Sequence, residues 1–127
     1  MADRDKISEV CDRYLTAVSA HDVDAVMTLY ADNATVEDPV GSELKVGRDQ
    51  IRGFYEAIFG AEFTTRRIGP VTVAGTAAAF QFRVDVPLGE TALHGTSTDV
   101  MTFDQEGRIL TMVAYADMQA DPDAIQG

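Results

Sequence analysis

The hydrophobic pattern changes period at Gly60, and this limits the chain to folds in which helices lie against an antiparallel sheet. From Asp5 to Ala20 the apolar residues Ile7, Val10, Cys11, Tyr14, Leu15 and Val18 recur at three-and-four spacing, the stripe of an amphipathic helix. Asp22 can cap a second helix from Val23 to about Tyr30, and Ile51, Phe54, Tyr55 and Ile58 predict a third over Arg48–Phe59. Beyond Gly60, strands are expected at Phe63–Ile68, Val71–Val73, Ala77–Val86, Thr91–Phe103 and Arg108 to about Met118. Their separators, Gly69-Pro70, Gly75, Pro87-Leu88-Gly89 and Asp104-Gln105-Glu106-Gly107, are turn chemistry. Three helices followed by a strand meander is an α+β pattern: a curved, mostly antiparallel sheet wraps the helices as a conical barrel and leaves a cone-shaped pocket.

A chain of 127 residues fits one domain spanning 1–127, with a polar tail from Gln119 expected to fray. The formal net charge of −11 argues against nucleic acid and anionic membranes as partners. The charged start, Met1-Ala-Asp-Arg-Asp-Lys6, lacks a signal-peptide core, and no window approaches the ~18 apolar residues that span a bilayer, so a cytoplasmic location is expected. Cys11 is the only cysteine, which leaves no intrachain disulfide and no cysteine-based zinc site. His21 and His94 have no metal-ligand spacing, and no glycine-rich phosphate loop precedes a helix.

One stretch inside the helical half reads differently. Ala34-Thr35-Val36-Glu37-Asp38 is β-like and is stopped by Pro39, so alternation puts Ala34, Val36 and Asp38 on one face. An inward carboxylate at a strand's end is a usable proton acceptor, because burial raises its pKa; Asp-Pro is also a common turn opener.

Asp99 similarly interrupts a strand-like run and shares a face with Ser97, Met101 and Phe103. On an apolar face it would stay protonated and could donate a hydrogen bond; otherwise it faces solvent or pairs with Arg83 or Arg108. Tyr14, Tyr30 and Tyr55 fall on the buried sides of three helical segments, where each is either plain core or part of a set of hydroxyls that satisfy one another. One base and two neutral donors are the parts needed to move a proton beside a ketone.

With these residues in view, the chain resembles the bacterial Δ5-3-ketosteroid isomerases, within the larger group of cone-shaped folds like nuclear transport factor 2. The likeness is densest in Arg13-Tyr14, Leu29-Tyr30-Ala31-Asp32, Ala34-Thr35-Val36-Glu37-Asp38-Pro39, Phe54-Tyr55 and Asp99-Val100-Met101. It implies that Asp38 is the general base, that Tyr14 and protonated Asp99 form the oxyanion hole, and that Tyr30 and Tyr55 hold the Tyr14 hydroxyl in place.

The implied substrate is a small apolar ketone, a 3-oxo-Δ5-steroid or similar flat molecule, handled without metal or organic cofactor by a homodimer. Phe54, Phe80, Phe82 and Val84 are expected in the pocket wall, together with Ser97, Met101, Met112, Ala114 and Ala116. Relatives often carry larger apolar residues at the positions of Gly95, Ser97 and Ala116, which implies a roomier or wetter cavity end here. The same cone also serves polyketide cyclisation and epoxide hydrolysis, where Arg83 could supply a guanidinium beside Asp99, and it is reused in non-catalytic binding or dimerisation modules.

Overall fold

The computed structural model describes residues 2–119. Its elements are α1 (Arg4–Ser19), α2 (Val23–Met27), β1 (Tyr30–Glu37), β2 (Lys45–Val46), α3 (Arg48–Ile58), β3 (Thr64–Ala74), β4 (Ala77–Leu88), β5 (Thr91–Phe103) and β6 (Ile109–Gln119). Aspartates cap the first two helices: Asp3 accepts from the Lys6 backbone N at 2.8 Å, and Asp22 from that of Ala25 at 3.0 Å. The whole apolar stripe of α1 is buried.

Two expected elements differ. The second helix stops at Met27, and Tyr30 opens β1 instead of closing a helix. Sheet pairing overrides the helical pattern there, since the Ile109 backbone N donates to the Leu29 carbonyl at 2.8 Å and Arg48 Nη1 donates to the Tyr30 carbonyl at 2.9 Å. The two strands expected either side of Gly69-Pro70 are a single one, β3, because both halves pair with β4 and the glycine and proline make only a register shift between Ile68 and Thr72. β2 has two residues, too few to leave a periodic signal.

The sheet order is β2-β1-β6-β5-β4-β3, and every pairing is antiparallel except β1 with β6. The sheet does not close; β2 and β3 are its edges. α1 packs on β3 and β4, and α3 on β1 and β2. Between helices and sheet lies the core, with Val36, Phe80, Met101, Phe103 and Met112 buried on the inner face. Residues 120–127 of the expected frayed tail lie outside the described residues, while Gln119 still belongs to β6. Among the described residues, no helix is long and apolar enough to cross a membrane.

Candidate active site

Asp38 stands one residue past the end of β1, where the chain leaves the sheet through a cis Asp38-Pro39 peptide. Two hydrogen bonds hold this corner: the Gly41 backbone N donates to Glu37 Oε2 at 2.6 Å, and the Val40 backbone N donates to the Ala114 carbonyl at 2.7 Å. Glu37 is thereby engaged in the turn, and Asp38 follows Ala34 and Val36 onto the inner face. Burial pushes its carboxyl up to about 6, against the opposing field of the Lys45 ammonium. Lys45 is itself held by the Glu43 carbonyl at 2.8 Å and lies 5.4 Å over the Phe54 ring.

Asp99 is 1% exposed, in the middle of β5. Its neighbours across the ladder are Phe80 and Ala114, both on the inner face. Burial raises its carboxyl to about 8, the nearby Asp38 charge adds to that, and a hydrogen bond from Ser97 Oγ at 2.9 Å opposes it. At neutral pH Asp99 is therefore mostly protonated, and Asp38 mostly ionised. Ala114 lies between them: Asp99 pairs with it from one side, and the Asp38-Pro39-Val40 corner is tied to it from the other. Two strand spacings separate the two backbones at this level, roughly 10 Å.

The three tyrosines do converge, from α1, β1 and α3. The Tyr55 hydroxyl is 2.8 Å from that of Tyr14 and 2.7 Å from that of Tyr30, so Tyr55 is the middle of the chain. Burial pushes all three phenols well above their ordinary pKa and keeps them neutral.

Tyr14, Asp38, Tyr55 and Asp99 line one cavity of about 310 Å3. Of the residues expected in its wall, Phe82, Val84, Ser97 and Ala116 line it. Phe80, Met101, Met112 and Ala114 instead fill the core beneath the helices, and Phe54 packs edge-on against Tyr55 at 5.0 Å. Strand alternation assigned their face correctly, but alternation cannot say where along a strand the space between helix and sheet opens. It opens toward Val18 on α1, Ile58 on α3, Ala61 and Phe63 after it, and Thr65, Val86 and Met118 on the strands. Periodicity marked Val18 and Ile58 as inward, without marking a void beside them.

Neither arginine reaches Asp99. Arg83 sits on the outer face of β4 with Asp85, to which its Nε donates at 3.0 Å, and with His94 Nδ1 at 3.0 Å, while Arg108 pairs with Asp104 and Glu106. Cys11 is buried, and burial pushes its thiol up to about 12. Among the described residues, no three of His, Cys, Asp and Glu converge on a possible metal position.

Residues 11–112 match the SnoaL-like domain family. A relative from Nocardioides simplex, the Steroid Delta-isomerase, is 45% identical over 103 residues, covering 81% of this chain and 83% of that protein. The solved structure of SalBIII, an epoxide hydrolase/cyclase-like enzyme in pyran ring formation in the polyether salinomycin, superposes with a TM-score of 0.83. It is 28% identical and covers 92% of this chain and 95% of its own. The chain belongs to the SnoaL-like domain family, and its likeness to a steroid Δ-isomerase rests on sequence identity.

Proposed function

We propose that this protein is an isomerase that moves the double bond of a 3-oxo-Δ5-steroid into conjugation with its ketone. One observation carries the reading: a carboxylate at Asp38 and neutral donors at Tyr14 and Asp99 border the same largely apolar cavity. In this mechanism Asp38 removes a proton from carbon 4, and the electron pair moves onto the ketone oxygen to give a dienolate. Asp38 then delivers the same proton to carbon 6, and the double bond comes to rest between carbons 4 and 5. No proton or electron is gained or lost, so the ketone is the only electron sink the reaction requires.

The charge that develops on the ketone oxygen is stabilised by hydrogen bonds from Tyr14 and from protonated Asp99. A phenol has one proton to give. Tyr14 can aim its own at substrate only while Tyr55 donates to it, and Tyr55 is free to do so when Tyr30 donates to Tyr55 in turn. The apolar remainder of the cavity suits a flat ring system and excludes water, which strengthens both hydrogen bonds. The relative from Nocardioides simplex supports the substrate class. The proposal includes a homodimer that meets through the outer face of the sheet, where Tyr115 is 50% exposed.

A second reading, an epoxide hydrolase or cyclase, draws on the likeness to SalBIII. It would need a guanidinium at Asp99, and Arg83 is engaged on the opposite face of the sheet by Asp85 and His94. Incubation with 5-androstene-3,17-dione, followed by the ultraviolet absorbance of the conjugated enone, separates the two. The isomerase gives rising absorbance with steroid alone; steroid binding without turnover points to a binding module, and no binding points to another substrate.

A further inference from the structure

Register layers the inner face of the sheet in transverse rows. Phe80, Asp99 and Ala114 make one, Phe82, Ser97 and Ala116 the next, and Thr65, Val84, Gly95 and Met118 the third. Asp99 and Gly95 are four residues apart, roughly 13 Å along an extended strand. The third row therefore faces the end of a ligand remote from Asp99, and its side chains Thr65, Val84 and Met118 all line the cavity.

Gly95 is buried, and Met118 occupies the place a side chain there would take. A Cβ on Gly95 would meet the Asp117 backbone oxygen first, and would lie 2.5 Å from Met118 Sδ and 2.8 Å from Met118 Cα, so the β6 backbone and the thioether together close the space over Gly95. Ala116, one step deeper on the same strand, contributes only a methyl to the wall. The thioether is thus the largest flexible group at this rim, and at 37% exposure it borders both the cavity and solvent.

We infer that Met118, seated over Gly95, is the specificity-determining residue at the far end of the cavity. It completes the wall that Ala116 leaves short, and it sets how large a substituent the remote ring of the ligand can carry. What fills the cavity rests on the isomerase reading; the role of the side chain is tested separately from it.

The test measures dissociation constants by calorimetry for wild type, Met118→Ala and Met118→Leu with two conjugated enones, 4-androstene-3,17-dione and 4-pregnene-3,20-dione. The second carries a two-carbon substituent on the remote ring. Met118→Ala is expected to shift the ratio of the two constants toward the larger ligand by about ten-fold, the scale on which one or two buried methylene groups discriminate. Met118→Leu, which keeps the volume, should restore the wild-type ratio. An unchanged ratio in Met118→Ala, or an equal loss for both ligands, overturns the inference even if the enzyme isomerises steroids. A shifted ratio in a protein that turns over no steroid would support it while removing the isomerase reading, and binding of neither ligand by wild type would remove both.

Discussion

Ser97 Oγ donates to Asp99 Oδ1 across 2.9 Å, two residues along the inner face of β5. This bond favours the ionised carboxylate and works against the burial that keeps Asp99 neutral. Removing it with Ser97→Ala raises the Asp99 pKa further above its value of about 8. The protonated donor then survives to higher pH. The basic limb of the kcat/KM profile should move upward in Ser97→Ala, read by enone absorbance; a basic limb that stays in place would show that it does not report Asp99.

The proposed mechanism assigns the acidic limb to Asp38, whose carboxyl burial pushes up to about 6. Lys45 holds that value down, so Lys45→Met should move the limb to higher pH, while Lys45→Arg keeps the charge and leaves it near its wild-type position. An acidic limb insensitive to Lys45 would mean that the base is elsewhere.

Stability carries the same signature with a defined sign. Asp99 has a folded pKa raised from 3.8 to about 8, so the folded state binds its proton more tightly than the unfolded state. That contribution is complete below about pH 4 and is lost as pH rises through about 8. Asp99→Asn removes the dependence. Between pH 5 and pH 9 the variant should gain on the order of 4 kcal/mol relative to wild type in urea unfolding, whatever its activity. Parallel pH dependences in the two proteins would contradict a buried, protonated Asp99.

The tyrosine chain makes an unequal prediction. Tyr14→Phe removes a donor at the proposed substrate oxygen and should lower kcat by about 100-fold or more, whereas Tyr55→Phe keeps that donor, removes the bonds from Tyr55 to Tyr14 and Tyr30, and should cost less. KM should change little in either. A larger loss in Tyr55→Phe than in Tyr14→Phe would place Tyr55, not Tyr14, against the ketone.

Much of this was legible from period and parity. The stripe Ile7 to Val18 gave α1, and alternation from Ala34 aimed Asp38 at the core. Tyr30 reads as the end of a helix because Val26, Leu29 and Tyr30 keep a helical spacing, and nothing local reveals the bond between Leu29 and Ile109, eighty residues on. Met101 and Met112 share the inner face with Asp99, so the sequence points them toward the pocket; only packing beneath the helices decides which part of that face stays open. Met118 and Gly95 lay in ordinary strand sequence, and their relation exists only across the β5–β6 ladder.

Asp38→Asn is the most direct measurement, since it keeps shape and removes the proton acceptor. With 5-androstene-3,17-dione it should lose nearly all enone formation while steroid affinity stays within a few-fold of wild type, and Glu37→Gln, altered at a side chain held by the Gly41 backbone, should keep most of its activity. An Asp38→Asn enzyme that still isomerises the steroid, or a Glu37→Gln enzyme that fails as completely, contradicts the account.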